Sequence, residues 1–419
     1  MEIVECFEVS SSSVSYRLPY SPMAETLQIT NAQIAGYAGR QNLLLSRDRI
    51  LAITPAIEDM ATPVESSNCP ILDVAGDWIS QGGIDLQING ALGLAFPDLT
   101  LENAPFLQKI GTFLWQQGVD GYCPTLVTTS TQQIHQSLAA IAQTLAPTAA
   151  LHPRDSQASD RPTAQILGVH LEGPFLNPVK RGAHPEAFIQ PLTVETVKQV
   201  LGDYASLVKI ITLAPEMDST GTVIPYLRSL GITVSLGHSL ATSQQAQQAF
   251  AQGATMVTHA FNAMPGLHHR EPGLLGAAIA DPLVACGVIA DGEHVVPLML
   301  DLLLKASDYD RGLFLVSDAL APLGLPDGCY PWDTRQIEVR QGTARLENGT
   351  LAGTTVSLLE GVQNLIQWNL CTVEQAIALA TTASRRAIGL STDFRDGSGH
   401  LLRWHLSSAR SLTWERLAW

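Results

Sequence analysis

The chain has 419 residues, of which 46% are hydrophobic and 15% charged, a composition that excludes a disordered or fibrous protein. Its formal net charge of −15 and the lack of any Lys/Arg run exclude a nucleic-acid surface, so an anionic substrate would need a local set of donors. At this length we expect one large domain and one small domain.

The N-terminal segment MEIVECFEVS has neither a basic start nor an apolar core, so it does not predict a signal peptide. The longest apolar stretch, residues 295 to 304, is far shorter than the about 18 residues of a membrane helix. Six cysteines without CxxC spacing predict reduced thiols: Cys6, Cys69, Cys123, Cys286, Cys329 and Cys371. We therefore expect a cytoplasmic protein that binds neither membranes nor nucleic acid.

The first 80 residues contain short alternating pieces, ETLQIT, NLLLSR, RILAITP and ILDVAG, which predict antiparallel strands. The tail LLRWHLSSARSLTWERLAW alternates in the same way. We assign residues 1 to 80 and 393 to 419 to one small β-sandwich domain that is built from both termini.

Between residues 81 and 392, Val- and Ile-rich runs alternate with segments of helical period, as is typical of βα units. Eight runs are predicted as strands, at 82–88, 119–127, 165–172, 208–216, 232–238, 255–261, 284–291 and 313–319. Helices are predicted at 101–117, 131–145, 241–252, 295–307, 355–369 and 373–388, and Asn348-Gly349 predicts a hairpin turn. Eight strands in alternation with helices predict a closed (β/α)₈ TIM barrel.

Polar side chains end most of the predicted barrel strands, where a (β/α)₈ barrel carries its reactive groups. Gln87 and Asn89 end the first strand, Glu172 the third, His238 the fifth, His259 the sixth and Asp318 the eighth, and His294 follows the seventh. A single histidine at such a position is more often structural. Polar residues at the carboxyl ends of six of the eight predicted strands favour an active site instead.

One carboxylate and two imidazoles, on Glu172, His238 and His259, are the ligand set of an open catalytic zinc site whose fourth position takes water. Such an ion lowers the pKa of that water from about 16 toward 7 and polarises a carbonyl. Asp318 has no basic neighbour in the sequence, which fits a general base that later delivers its proton to an amide nitrogen. This pattern predicts metal-dependent hydrolysis of an amide.

Seven motifs between about residues 80 and 390 carry a resemblance to a known family. They are HLEGPFLN (170–177), GAHPEAF (182–188), GHS (237–239), THAFNAMPGLHHREPGL (258–274), ADGEHV (290–295), SDALAP (317–322) and LAGT (351–354). They resemble N-acetylglucosamine-6-phosphate deacetylase, of the metal-dependent amidohydrolase superfamily, and HLEGPF and the THAFNAMP block are specific to it. The resemblance implies hydrolysis of N-acetyl-D-glucosamine 6-phosphate to D-glucosamine 6-phosphate and acetate in amino-sugar recycling.

Carried over position by position, the resemblance implies metal ligands at Glu172, His238 and His259, an acid/base at Asp318 and a carbonyl-polarising group at His184. Ten further residues are expected at the phosphosugar: Gln87, Asn89, Ala183, Asn262, Ala263, Arg270, His294, Leu351, Ala352 and Gly353. The alternative for Arg270 is an ion pair with Glu271. The family's counterpart of Arg270 reaches a neighbouring subunit, which implies a homodimer.

Gln87-Ile88-Asn89 stands where many amidohydrolases have His-x-His, and amides are poor zinc ligands. Lys209 lies at the start of the fourth strand, so the far end of that strand offers no bridging lysine. We predict one divalent ion per chain, zinc in first place and iron, cobalt or manganese as alternatives. Glu216 is either a secondary ligand or a carboxylate at the rim.

Two other functions remain open. One is an amidohydrolase that acts on a cyclic amide or on a different N-acylated phosphosugar. The other is an inactive relative that serves as a binding scaffold, which predicts loss of a ligand or of the base. Glu172, His238, His259 and Asp318 are all present.

Overall fold

The structure is a computed structural model that describes residues 26–46, 49–56, 69–146, 162–397 and 399–417. Cys6 and the N-terminal segment considered above lie outside these residues. The chain divides into two compact units. The first comprises the described residues of Met1–Gln81, Phe394–Ser407 and Leu412–Trp419, and the second comprises those of Gly82–Asp393 and Ser408–Ser411.

The first unit contains two β-sheets. One has four strands in the order Arg49–Pro55, Gln41–Ser46, Thr26–Ala32 and Ile71–Asp73, and the other has three in the order Leu412–Arg416, Leu402–Leu406 and Trp78–Ser80. Strand residues such as Leu27, Leu43 and Ile79 are buried in one core, together with Leu401, which precedes a strand. Since Leu402–Leu406 pairs with Trp78–Ser80, this sheet combines a strand from the N-terminal part of the chain with strands from the C-terminal part.

One strand pair of this unit differs from the antiparallel prediction. Thr26–Ala32 and Ile71–Asp73 are parallel. The reason is topological. The strands Gln41–Ser46 and Arg49–Pro55 extend the sheet on one side of Thr26–Ala32, and the chain then returns to pair with the other edge of Thr26–Ala32.

The second unit contains eight parallel strands that neighbour each other in chain order. They are Gly83–Ile88, Val119–Val127, Val169–Glu172, Val208–Leu213, Thr233–Leu236, Met256–Val257, Ala285–Val288 and Leu313–Leu315. The first and eighth strands are joined by the Ile88–Ala319 bridge and by a 2.8 Å hydrogen bond from the Asp318 N–H to the Gln87 carbonyl. The predicted (β/α)₈ barrel is therefore confirmed.

Of the eight barrel strands, Val119–Val127 has the predicted bounds, and the other seven are shorter than predicted or interrupted. Two of these differences have a local cause. The third is interrupted between Gln165–Ile166 and Val169–Glu172, where Gly168 has a φ of 123°. The fourth ends at Leu213 instead of residue 216, because Pro215 has no N–H for the sheet and begins the 3₁₀ turn Pro215–Met217.

The described helices of this unit are Phe106–Gln116, Thr131–Leu145, Val194–Leu201, Val223–Ser229, Ser243–Ala251, Gly273–Ala280, Pro297–Ala306, Leu358–Gln367, Val373–Ala380 and Thr382–Ala387. The helix Thr131–Leu145 has the predicted bounds, because the Ser130 side chain caps its N-terminus by accepting from the Gln133 N–H. The third, fourth and sixth helices were not predicted. They have only seven or eight residues, which is too short for a clear periodic pattern.

An antiparallel sheet, which we name the excursion sheet, follows the eighth barrel strand. Its strands are Gly328–Trp332, Arg335–Arg340, Thr343–Leu346 and Leu351–Thr354. The turn at Asn348-Gly349 connects the last two, as predicted, and Gly349 supplies the required positive φ of 83°. Because Thr354 bridges to Ala319, the sheet lies at the carboxyl end of the barrel strands.

Among the described residues, no helix is long and apolar enough to cross a membrane. The described cysteines are all free thiols, and Cys123 and Cys286 are buried. Burial raises the pKa of each of these two thiols to about 12, so they stay protonated and unreactive near neutral pH.

Candidate active site

Three side chains at the carboxyl ends of the barrel strands bring their ligand atoms together; we name them the ligand trio. Glu172 is the last residue of the third strand, and His238 and His259 each lie two residues beyond the fifth and sixth strands. Glu172 Oε1 lies 3.3 Å from His238 Nε2 and 3.0 Å from His259 Nε2. The two ring nitrogens are 3.0 Å apart, and all three side chains are buried.

The spacing of these atoms fits one metal ion. Two ligand atoms at about 2.0–2.1 Å from a tetrahedral zinc ion lie about 3.3 Å from each other. Burial opposes the charge on Glu172, but hydrogen bonds from His238 and His259 outweigh it and hold the pKa of this carboxyl well below its ordinary value. Glu172 is therefore ionised, as a metal ligand must be.

The backbone and the hydrogen bonds around the trio hold these side chains in place. His238 Nδ1 lies 2.9 Å from the Lys180 carbonyl, which can only accept, so Nδ1 donates there and the ring presents Nε2 to Glu172. His259 Nδ1 is buried and has no hydrogen-bond partner among the described residues. His238, His259 and Asp318 have positive φ values of 48°, 27° and 48°, a strain that is concentrated at functional sites.

His184 lies beside the trio. Its Nδ1 is 2.9 Å from Thr128 Oγ1, and its Nε2 is 4.0 Å from Glu172 Oε2. Glu172, His184 and His238 also place ligand atoms within 4.8 Å of one another, but 4.0 Å exceeds the about 3.3 Å edge of a tetrahedral site. Burial and the neighbouring His238 lower the pKa of His184 to about 3, so this ring is neutral near pH 7.

Asp318 is held by two amides of the first barrel strand. Asn89 Nδ2 and Gln87 Nε2 donate to its Oδ1 at 2.8 and 3.2 Å, which leaves Oδ2 available for proton transfer. Gln87 Nε2 also donates to Glu172 Oε1 at 2.9 Å, so Gln87 presents its nitrogen, and not its oxygen, to the trio. Burial and the charge of Glu172 raise the pKa of Asp318 to about 7, a value suited to acid/base work near neutrality.

A cavity of about 210 Å³ has the trio, His184 and Asp318 in its walls. Seven of the ten residues expected at the substrate line it: Asn89, Ala183, Asn262, Ala263, His294, Leu351 and Ala352. Among the described residues that line it, none is Lys or Arg. Donors for an anionic group in this cavity are therefore histidines, amides and backbone N–H groups.

The other three expected residues lie elsewhere. Gln87 is buried and does not line the cavity, but its side chain donates to two residues that do, Asp318 and Glu172. Gly353 is buried with a φ of 149°, and a Cβ there would lie 2.8 Å from the Asp318 carbonyl, so only glycine fits. Arg270 is exposed, and its Nη1 lies 2.8 Å from His269 Nε2. It does not line the cavity of its own chain.

Trp332 also lines the cavity, and no sequence signal marked it. It ends the first strand of the excursion sheet, outside the barrel-strand ends on which the prediction depended. The Arg335 guanidinium lies 5.6 Å from the Trp332 ring and donates to the Ala183 carbonyl at 2.8 Å. The tip of this hairpin therefore contacts the loop that carries His184.

Glu216 accepts hydrogen bonds from Asn177 Nδ2 at 2.8 Å, from Ser239 Oγ at 2.7 Å and from the Leu240 N–H. Both of its oxygens are thus engaged with loops that follow the third and fifth strands. This favours the rim carboxylate over the secondary ligand. Because Ser239 follows His238, Glu216 also restrains a member of the trio.

Comparisons with known proteins cover most of the chain, although no family model matches it. It is 35% identical over 379 residues to an N-acetylglucosamine-6-phosphate deacetylase of Bos taurus, with 88% of each chain covered. It is 33% identical over 308 residues to an N-acetylgalactosamine-6-phosphate deacetylase of Escherichia coli O157:H7, covering 73% of this chain and 77% of that one. A solved N-acetylglucosamine-6-phosphate deacetylase of Pasteurella multocida is similar with a TM-score of 0.77 and 28% identity, over 94% of this chain and 100% of that one.

Proposed function

The chain belongs to the N-acetylglucosamine-6-phosphate deacetylase family, and from this premise we propose that it hydrolyses N-acetyl-D-glucosamine 6-phosphate to D-glucosamine 6-phosphate and acetate. The observation that carries the proposal is the ligand trio beside the buried Asp318 in one cavity. Hydrolytic deacetylation in amino-sugar metabolism needs both features, because amide hydrolysis requires an activated carbonyl and a protonated leaving nitrogen.

Glu172, His238 and His259 would hold one divalent ion, zinc in first place, with iron, cobalt and manganese as alternatives. When bound, such an ion would lower the pKa of a water molecule and polarise the acyl carbonyl. One carboxylate and two imidazoles suit these borderline metals better than Mg²⁺ or Ca²⁺. Gln87 and Asn89 direct amide nitrogens at carboxylates, which supports a single ion rather than two.

The proton steps are assigned to Asp318. Its Oδ2 takes a proton from the attacking water and delivers it to the amide nitrogen, while Gln87 and Asn89 hold Oδ1. His184 faces Glu172 through Nε2, and we assign to it the hydrogen bond that polarises the acyl oxygen. Its neutral state prevents repulsion with an ion at the trio.

The phosphate would be bound by Asn262, the Ala263 backbone and His294, with the sugar beside Leu351 and Ala352. Arg270 is exposed and outside this cavity, and its neighbour Glu271 accepts from the Ser243 N–H at 3.0 Å. We therefore propose that Arg270 serves the cavity of a second copy, in a cytoplasmic homodimer.

The homodimer has a direct test in trans. Arg270→Ala and Asp318→Asn chains are each impaired, but in a mixed dimer one cavity combines an intact Asp318 with an intact Arg270. An equal mixture should recover about a quarter of the wild-type activity, because half of the dimers are mixed and each has one complete site. Activity that stays at the sum of the two single variants contradicts the shared site.

The reaction itself is tested by acetate release, measured with metal content, from the 6-phosphates of N-acetylglucosamine and N-acetylgalactosamine, from unphosphorylated N-acetylglucosamine and from a cyclic amide. We expect the first substrate to give the highest kcat/KM. The relative that is an N-acetylgalactosamine-6-phosphate deacetylase makes the second the principal alternative. Preference for the cyclic amide refutes the proposal, and inactivity of metal-loaded protein on all four leaves a binding scaffold.

A further inference from the structure

His294 and Asp291 form a buried pair at the edge of the candidate active site. His294 Nδ1 lies 2.6 Å from Asp291 Oδ2, and their side chains are 5% and 3% exposed. The other carboxylate oxygen, Oδ1, accepts from the backbone N–H groups of Glu293 and His294 at 3.0 and 2.8 Å. Both carboxylate oxygens of Asp291 therefore accept hydrogen bonds from residues within one turn of the chain.

This pairing determines which nitrogen of His294 can meet a ligand. Nδ1 is occupied by Asp291, so Nε2 is the ring nitrogen left for the cavity that His294 lines. Burial opposes the charge on Asp291, but the hydrogen bond from His294 outweighs it and the pKa of the carboxyl is lowered. The 2.6 Å approach of this buried carboxylate makes Nδ1 the nitrogen that donates to Asp291, and a second ring proton would make Nε2 a donor as well.

A phosphate group distinguishes the two states of this ring. Its oxygens only accept at neutral pH, whereas Nε2 of the neutral ring, with Nδ1 donating to Asp291, only accepts. The imidazolium is therefore the only state of His294 that can hydrogen-bond to phosphate through Nε2. With no Lys or Arg among the described residues that line the cavity, this proton contributes a large share of the positive charge available within the chain.

Other titratable groups face His294 or its pair. Asp318, from the end of the eighth strand, interacts electrostatically with His294. The remaining titratable side chains in the cavity walls are Glu172, His184, His238 and His259. Glu293 is more exposed and pairs with Arg345 of the excursion sheet at 3.3 Å, so it is a natural control.

We propose that Asp291 is a positioning residue for phosphate recognition, which holds His294 by Nδ1 so that Nε2 faces the cavity, and that the 6-phosphate binds together with one proton on His294 Nε2. This inference depends on the proposed function for the identity of the substrate. It adds a pH dependence that belongs to the phosphate alone, because the same sugar without phosphate does not need the proton.

The kinetic experiment compares wild type, Asp291→Asn and the control Glu293→Gln as metal-loaded enzymes. The measured quantity is the ratio of kcat/KM for N-acetylglucosamine 6-phosphate to that for N-acetylglucosamine. In wild type this ratio should fall as pH rises, by up to about tenfold per pH unit once the imidazolium is lost. Asp291→Asn should lower the ratio at neutral pH by about tenfold or more, through KM, and Glu293→Gln should leave it within about twofold.

A second experiment reads the proton without catalysis. In histidine-labelled protein, the His294 resonance is assigned by its loss in His294→Gln and is titrated with and without inorganic phosphate. We expect inorganic phosphate to increase the protonated fraction of His294 at a given pH in wild type, and to increase it less in Asp291→Asn. If Asp291→Asn does not fold, the wild-type titration and the wild-type pH profile still test whether phosphate binding is coupled to a proton on His294.

Three results overturn the inference: a wild-type ratio that does not change with pH, an Asp291→Asn variant that impairs both substrates equally, or a His294 that is neutral when phosphate is bound. Failure of the proposed function is a separate outcome. In that case wild type releases no acetate from either sugar, and the titration with inorganic phosphate still tests Asp291.

Discussion

The substitution Asp318→Asn separates the proton chemistry of the candidate site from its shape. In the structure both amide donors, on Gln87 and Asn89, reach Oδ1, so an amide oxygen at that position keeps both hydrogen bonds. The new NH₂ group then replaces Oδ2, which is the oxygen assigned to proton transfer. Metal binding and substrate binding should therefore persist while the acid/base is lost.

The magnitude follows from that separation. Loss of one general acid/base costs about 10²- to 10⁴-fold in rate, which is about 2.7–5.4 kcal/mol of activation free energy. We expect kcat to fall by this factor and KM to change little, because no substrate-binding group is removed.

The same substitution has a predictable effect on stability. Burial and the charge of Glu172 raise the pKa of Asp318 from 3.8 to about 7, so the folded chain retains a proton that the unfolded chain releases. The stability that this proton contributes is complete below pH 3.8 and is lost as pH rises to about 7, at roughly 1.4 kcal/mol per pKa unit. Asp318→Asn cannot ionise, so the metal-free variant should be at least as stable as metal-free wild type at neutral pH.

The assay combines steady-state acetate release, metal content and thermal unfolding of the metal-free protein. Asp301→Asn is the matched control, since it makes the same chemical change at a carboxylate that pairs with Lys305 on the helix Pro297–Ala306. Turnover of Asp318→Asn within about threefold of wild type refutes the acid/base assignment, because even the smallest expected loss is larger. Loss of metal from the variant would instead identify Asp318 as a ligand.

Three further predictions concern the metal, the rim and the phosphate. Chelation should abolish activity, and elemental analysis after removal of loosely bound metal should find one ion per chain; two tightly held ions would show that the first strand is misinterpreted. Glu216→Ala should lower the free energy of unfolding by about 1–3 kcal/mol, since hydrogen bonds to a half-buried carboxylate are lost, while Glu216→Gln should lose less. Equal stability of all three proteins in denaturant titrations contradicts this role. Arg270→Ala should remove most of the preference for phosphorylated over unphosphorylated sugar, and an unchanged ratio of kcat/KM values excludes Arg270 from phosphate binding.

The sequence by itself determined the barrel and the general location of its chemistry. Parallel strands with helical crossovers place their carboxyl ends on one face, so residues far apart in sequence, such as Glu172 and His259, had to lie near each other. Motifs such as HLEGPF then indicated the family, and the family membership is confirmed by the relatives. These inferences succeed because strand-end position and motif identity are both local properties of the chain.

Only the tertiary structure decided which neighbours make contact. Gln87 donates to both Glu172 and Asp318, Trp332 enters the cavity from the excursion sheet, and Arg270 stays outside the cavity of its own chain. Asp291 was not singled out in the sequence, because its role depends on the 2.6 Å approach of a buried ring three residues away. Such contacts depend on loop conformation, side-chain rotamers and burial, which no strand count or motif encodes, and they set the ionisation states on which the chemistry depends.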